Sequence, residues 1–387
     1  MDGFEVLDGL ETAEPSLVLP EDWEGARICL RFSGGVGDVV VAIGGTAAAL
    51  AAKQCHITAA SLPHQMPLLR QMVGVDAACS STALNDPANR LKYDVLLEFS
   101  QVFNRSRTLR PGSYYGHVTK RVGIPVSPGR FLFAGSVPPV PKLAVVHTGS
   151  SNPNRRWAEA KWRAVITGLS AHGYAVRCLG TKDEWGIHAP GDNIEKLSEL
   201  SDDLLWQAEQ CAAAELFVGT DSGFAHICGV LGVPGAVVFT NTEPADVIGE
   251  YPSLKAVHAY DRLGVRPTRS LRKDDPDAIT CGAAIEPEDV FEVLRLSKPE
   301  VEPVAEQPIT RPRILVPSGR GTAAIRTIER MCDVSYVGRE AEFDAVVFVY
   351  NKGTRAVRTA SPPRLLLASC TDPDQAMRAL REILAAR

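Results

Sequence analysis

The sequence predicts an α/β protein made of two doubly wound halves and a small C-terminal α/β unit, and three observations carry that prediction. Short apolar runs alternate with helix-periodic segments along most of the 387 residues, as βα units on parallel sheets do. Glycine-rich turns leave two of those runs, at Ser33 to Gly37 (SGGVG) and at Val218 to Ala225 (VGTDSGFA). Proline-rich stretches at Ser136 to Lys142 (SVPPVPK) and Lys298 to Pro312 (KPEVEPVAEQPITRP) stiffen the chain, interrupt regular pairing and read as linkers.

Taken in order, Met1 to Gly25 is acidic, carries Pro15 and Pro20, and reads as a leader or edge hairpin outside the first core. Arg27 to Phe32 (RICLRF) reads as the first strand, and Asp38 to Lys53, rich in Ala, Val and Gly, as the helix after its turn. His56 to Ala60 and Asp94 to Phe99 supply further strands. After the first linker a second set begins with a strand at Leu143 to His147, a polar loop at Thr148 to Asn154 and a helix at Trp157 to Ala171, where Trp162, Val165, Ile166 and Leu169 fall at helical spacing. Strands at Ala175 to Gly180, Leu216 to Val218 and Ala236 to Thr240 continue it, with helices at Asp202 to Ala214 and through His226 to Leu231. Two Rossmann-like domains facing each other across a cleft follow from this alternation. The expected boundaries are 1–26 for the leader, 27–140 and 141–298 for the two domains, 299–312 for a linker and 313–387 for the small unit. That unit has expected strands at Arg313 to Pro317, Val334 to Val337, Ala345 to Tyr350 and Leu365 to Ala368, and helices near Thr322 to Met331 and Asp374 to Ala386.

The turn at Val218 to Ala225 is where the sequence points to a ligand. Gly219 permits a sharp exit from the strand, and Thr220, Asp221 or Ser222 can cap the next helix, leaving backbone N–H groups aimed at the turn. A helix start of this kind at a strand's carboxyl end suits a pyrophosphate, the alternative being an ordinary βα turn.

Composition narrows the class. An apolar share of 45%, a charged share of 22% and a net charge of −5 fit a globular chain that is neither disordered nor globally basic. The nine cysteines are scattered without a C-x-x-C pair, which suits reduced core residues of a cytoplasmic protein better than a disulfide framework or a zinc site. There is no basic segment followed by an apolar one at the N-terminus, and no uncharged apolar run of about 20 residues, so membrane contact is expected to be peripheral. Between Glu98 and Glu159 no acidic residue occurs, while Arg105, Arg107, Arg110, Lys120, Arg121, Arg130, Lys142, Arg155 and Arg156 do. This block is either a surface balanced by acids elsewhere in space or one that meets an anionic partner.

Four segments then align in order and spacing: GGVGDVV at 34–40, HTGSSNPNRRW at 147–157, TDSGFAH at 220–226, and Cys281 with Ile285 and Val290. Together they resemble glycosyltransferase family 9, the ADP-heptose heptosyltransferases of lipopolysaccharide core synthesis and their relatives, over roughly residues 27–297. The resemblance implies a GT-B fold, an acceptor-binding N-terminal half, a nucleoside diphosphate sugar held by the second half, and inverting transfer with no metal and no cofactor. It places the general base at Asp38, whose alternative role is to cap its helix. Thr148, Gly149 and Ser150 then meet the diphosphate, with Arg155 where the family usually has lysine, a change that keeps the charge but alters reach and geometry.

By the same resemblance Glu184, or else Asp183, holds the ribose. Asp221 accepts from sugar hydroxyls, with Ser222 and Gly223 at the diphosphate, and His226 either faces the donor or fills a buried polar position. Trp157 borders the nucleotide or belongs to the core. Asn241, Thr242 and Glu243 form a pocket wall, although Thr240 replaces the family's glycine there.

The expected acceptor is an anionic glycan or lipid-linked molecule such as lipopolysaccharide core, met by Arg105, Arg107, Lys120 and Arg121. A nucleic-acid acceptor is an alternative, since Tyr114, Tyr115 and His117 lie among the basic residues and Arg266, Arg269, Arg272 and Lys273 form a further basic run. A non-catalytic nucleotide-sugar-binding scaffold is another, and an epimerase or hydrolase on the same fold is a third. A dinucleotide dehydrogenase is not expected, because Gly34, Gly35 and Gly37 do not give G-x-G-x-x-G.

Overall fold

The computed structural model describes residues 23–100, 102, 112–181, 193–267 and 275–297, together with three short backbone strands further on. The chain divides into two compact units, residues 1–301 and 302–387.

The first unit holds two all-parallel sheets. One contains β1 (Arg27–Arg31), β2 (His56–Ser61), β3 (Ala77–Ser80) and β4 (Val95–Glu98) in the order β3-β2-β1-β4. The other contains β5 (Leu143–His147), β6 (Ala175–Cys178), β7 (Ile194–Lys196), β8 (Leu216–Thr220), β9 (Gly235–Val238) and β10 (Leu254–Val257) in the order β10-β9-β8-β5-β6-β7. The central strands β5 (LAVVH) and β8 (LFVGT) are buried along their whole length, as strands covered by helices on both faces must be. The strand order reverses between β5 and β8, and between β1 and β4 in the smaller sheet. Loops that leave adjacent strands in opposite directions open a crevice at such a point.

Helices cover both sheets. In the N-terminal half a helical run spans α1 (Val36–Val39), a π-helical segment at Val40–Gly44, α2 (Gly45–Leu50) and a last turn at Ala51–Lys53, followed by α3 (Met66–Leu69), α4 (Pro87–Arg90) and α5 (Tyr114–Val122). The second half adds α6 (Glu159–Ala171), α7 (Leu204–Ala213), α8 (Gly223–Leu231), α9 (Pro244–Ile248), α10 (Tyr260–Leu263), α11 (Pro276–Ala284) and α12 (Pro287–Leu294). The run from Val36 to Lys53 is apolar and long enough to pass for a membrane span, but 61% of it is buried within the protein, which makes it a core helix. Asp203 caps α7 by accepting from the Trp206 N–H at 2.8 Å, and Ser113 caps α5 by accepting from Gly116 at 3.0 Å. Both are short polar side chains of the type that satisfies orphan donors at a helix start.

Several expectations need correction. The helix after the first turn starts at Val36, two residues before Asp38, because Gly35 is extended and leaves the chain free to turn there. The stretch expected to lie outside the first core includes Trp23, which is buried in that core. Its large apolar ring is worth more inside than in water. Ser222 occupies the N-cap position of α8, yet its side chain makes no cap hydrogen bond and meets His147 instead. β3, β7 and β10 are absent from the sequence reading, being three or four residues long and lacking a sustained apolar run.

The second unit shows a parallel three-stranded sheet in the order β12-β11-β13, with β11 at Arg313–Leu315, β12 at Asp333–Ser335 and β13 at Ala345–Val346. The strand expected at Leu365 to Ala368 and the two helices expected there lie outside the described residues.

Candidate active site

The loops at the two strand-order reversals face each other across one cleft of about 250 Å³. From the N-terminal half it is bordered by Gly35 to Asp38, His64 and Tyr114. From the second half come His147 and Gly149 to Ser151 after β5, Arg155, Gly180 and Thr181 after β6, and Asp221 to Phe224 with His226 at the start of α8.

Two glycines set how near the halves approach. A Cβ at Gly37 would lie 2.4 Å from His226 Cδ2 and 3.4 Å from the Cα of Gly223, and a Cβ at Gly223 would lie 2.8 Å from the Cβ of Val36. Real Cβ atoms do not approach other heavy atoms so closely, so only glycine fits either position. The first turns of α1 and α8 therefore meet through their backbones at the cleft. The first N–H groups of a helix have no partner within it and carry the positive end of its dipole. Two such ends side by side favour an anionic group between the halves.

Arg155 supplies a full positive charge there. Thr220 Oγ1 donates to its carbonyl oxygen at 2.7 Å, and Arg156 Nε donates to Ser150 O at 3.1 Å, so the loop after β5 is tied on both sides of the arginine. The guanidinium is nearly buried. Its Nε lies 3.2 Å from Asp221 Oδ2, although neither atom has a hydrogen-bond partner: the two are placed as an ion pair without the alignment of a hydrogen bond. Burial works against the charge on Arg155, but Asp221, Tyr114 and Asp38 outweigh it and hold the guanidinium above its ordinary value. Asp38, on the opposite wall, is thus near enough to act on that charge.

His147 Nδ1 and Ser222 Oγ are 2.9 Å apart, and the His147 ring packs against Phe224 at 4.8 Å between centroids. This joins the end of β5 to the turn after β8. Gln207 holds the floor, donating through Nε2 to Gly180 O at 2.7 Å and Ser201 O at 3.0 Å while its Oε1 accepts from Gly180 N at 2.9 Å. Gly180 itself has φ of +136°, a backbone conformation that favours glycine. Among the described residues no group of three or more His, Cys, Asp or Glu converges as a metal site.

The structure brings most of the expected site residues together. Asp38, Gly149, Ser150, Arg155, Asp221, Ser222, Gly223 and His226 all border the cleft. Thr148 is buried behind it and is not one of the residues that line it. Lys120 and Arg121 lie on α5 away from these walls, Arg121 donating to the Glu98 carbonyl at 3.4 Å. Trp157 resolves to the core, its Nε1 donating to Gly282 O at 3.1 Å and Ile285 O at 3.2 Å. Asn241, Thr242 and Glu243 do not border the cleft; Asn241 and Thr242 are buried, and the Thr242 carbonyl accepts from Tyr260. Glu184, Asp183, Arg105, Arg107 and Arg110 lie outside the described residues. His64, Tyr114 and Gln207 also line the cleft, from separate elements that share no local pattern, and His147 lines it as the first residue of the 147–157 motif, to which the sequence gives no role of its own.

Residues 130–262 match the family described as glycosyltransferase family 9 (heptosyltransferase). The matched span is about a third of the chain. The match is shorter than the 27–297 over which the motifs align, and it covers mainly the half that carries Arg155 and Asp221. A search of curated proteins finds no match.

Among solved structures, ADP-heptose lipopolysaccharide heptosyltransferase II of E. coli superposes with a TM-score of 0.52 at 14% identity, over 70% of this chain and 97% of that one. A family 9 glycosyltransferase of Veillonella parvula gives 0.51 at 14%, over 71% and 97%. The iron-containing dodecameric glycosyltransferase TibC of enterotoxigenic E. coli H10407 gives 0.51 at 15%, over 70% and 76%. At such identities the likeness speaks for the fold, which is GT-B.

Proposed function

We propose that this chain is an inverting, metal-independent glycosyltransferase that moves a sugar, heptose by family, from a nucleoside diphosphate of the ADP type to a hydroxyl of an anionic glycan or lipid-linked acceptor such as lipopolysaccharide core. The observation that carries the reading is the placement of Asp38 and Arg155 on opposite walls of one cleft that the two glycine helix starts also line. A carboxylate on one wall can take the proton of an acceptor hydroxyl as its oxygen bonds to the anomeric carbon. The bond to the diphosphate breaks on the other side, and its electron pair leaves with the phosphate oxygen. Arg155 and the backbone N–H groups of Gly223 and Phe224 stabilise that charge without a metal. With base and leaving group on opposite sides, the displacement is a single step and inverts the anomeric centre.

The donor class is supported by the family match and by TibC, whose structure holds ADP-D-β-D-heptose. A cytoplasmic location, with membrane contact only through the acceptor, belongs to the same proposal. The test is transfer from ADP-heptose to a deacylated core acceptor by the full chain and by Asp38→Asn. Turnover in the wild type that is lost in the variant while nucleotide binding persists supports the reading. Equal turnover in the two removes Asp38 as the base.

A further inference from the structure

A chain of three hydrogen-bonding rings runs from the cleft wall of the second half into the N-terminal half. His226 Nδ1 lies 3.1 Å from the Tyr251 hydroxyl, and that hydroxyl lies 2.9 Å from the hydroxyl of Tyr115 on α5. Both tyrosines are buried. Tyr251 meets the Tyr115 ring edge-on at 5.9 Å and the His226 ring edge-on at 5.8 Å.

The ring of Tyr251 is seated in a socket that glycine makes. A Cβ at Gly229, one turn beyond His226 on α8, would lie 2.4 Å from Tyr251 Cγ. Tyr114, the neighbour of Tyr115, stacks on the face of His226 at 5.9 Å with 17° between the planes. The first turn of α5 thus grips His226 twice, directly through Tyr114 and through Tyr251 by way of Tyr115.

The direction of the chain is assigned from chemistry. A phenol is the stronger donor and an imidazole nitrogen the stronger acceptor, so the Tyr251 O–H donates to His226 Nδ1 and the Tyr115 O–H donates to the Tyr251 oxygen, each bond polarising the next. In a neutral ring the remaining proton then sits on Nε2. That edge faces Gly37: a Cβ there would lie 3.1 Å from Nε2. Burial keeps the ring neutral, with Asp221 favouring and Arg155 opposing a second proton, and its pKa falls to about 4.

We propose that Tyr251, anchored by Tyr115 of the opposite half, is the positioning residue of His226: it fixes the tautomer that presents Nε2–H at the cleft wall and ties that orientation to contact between the halves. The use of this N–H as a donor to an oxygen of the bound nucleotide sugar rests on the transferase reading. The tautomer itself does not.

The experiment is nitrogen NMR of the full chain labelled at histidine, with the His226 signal assigned by its loss in His226→Gln. The wild type shows one tautomer, protonated at Nε2 and accepting at Nδ1. Tyr251→Phe, which keeps the ring in its socket, and Tyr115→Phe both lose the single-tautomer signature, Tyr115→Phe to the smaller extent. Nucleoside diphosphate affinity falls about 3- to 10-fold in each, the loss expected of one misdirected hydrogen bond. Should Tyr251→Phe fail to fold, Tyr115→Phe still decides the matter. A wild-type ring protonated at Nδ1, or a tautomer unchanged by removal of either hydroxyl, overturns the proposal. The NMR readout needs no nucleotide, so failure of nucleotide binding would count against the transferase reading alone.

Discussion

A single methyl group at Gly37 probes the contact that closes the cleft. In Gly37→Ala the new Cβ would stand 2.4 Å from His226 Cδ2, where ordinary contact begins near 3.4 Å, a shortfall of about 1 Å. The ring has little room to turn aside, because Tyr114 stacks on its face and Tyr251 meets it edge-on. The strain therefore falls on the α1–α8 contact. Overpacking of this kind costs about 1–3 kcal/mol, and alanine in place of glycine inside a helix returns up to about 1 kcal/mol, so the net loss is at most about 2 kcal/mol where that return is full and about 3 kcal/mol where it is nil. Urea unfolding followed by tryptophan fluorescence measures it. Gly135→Ala is the control, since nothing lies within 4 Å of a Cβ there. The variant should also bind nucleoside diphosphate more weakly, because the two helix starts no longer meet. Stability and affinity both equal to those of the control would refute the close approach of the halves.

The other predictions concern charge. Asp38→Asn lowers kcat roughly 100- to 10,000-fold, the usual worth of a general base, with little change in nucleotide affinity by calorimetry; a fall in affinity without a fall in kcat would give Asp38 a different role. Arg155→Ala leaves the Asp221 carboxylate, whose side chain is 4% exposed, without its cation and destabilises the fold by about 3–5 kcal/mol. Urea unfolding should show Arg155→Lys retaining more of that stability, and equal stability of wild type and Arg155→Ala would mean the pair is not formed.

His226 gives a pH dependence. Its folded pKa of about 4 lies below the ordinary 6.5, so between those values the unfolded ring binds a proton that the folded ring refuses. The stability it contributes is fully present above about pH 6.5. It is lost as pH falls toward 4, at a slope of at most about 1.4 kcal/mol per pH unit. Comparing wild type with His226→Gln from pH 7 to pH 4 isolates that slope, and parallel curves would show that the ring titrates normally.

Much of this was legible locally. The glycine run at 34–37 and the TDSG turn each announce a strand leading into a helix start, and both prove to border the cleft. What escaped the sequence depends on contacts between distant segments. Nothing near Gly37 tells that its missing side chain makes room for His226, and nothing near Gly229 tells of Tyr251. The Ser222 hydroxyl reads as a cap until His147, on another strand, is placed 2.9 Å away. Trp157 could not be divided between pocket and core because its two acceptors, the carbonyls of Gly282 and Ile285, come from α11 and the residue that follows it. The acid-free block was ambiguous for the same reason. One of its members, Arg155, finds its acid in Asp221, and another, Lys142, sits 4.3 Å above the Tyr174 ring.

The cleft that the two helix starts border is expected to hold a nucleoside diphosphate through Arg155. Calorimetric titration of the full chain with ADP, UDP, GDP and CDP, in magnesium and again in EDTA, tests it most directly. Selective binding of one nucleotide is expected, unaffected by EDTA and weakened at least ~10-fold in Arg155→Lys, where the forked contact is lost. Binding of none of the four, or binding that requires magnesium and ignores the substitution, would contradict it.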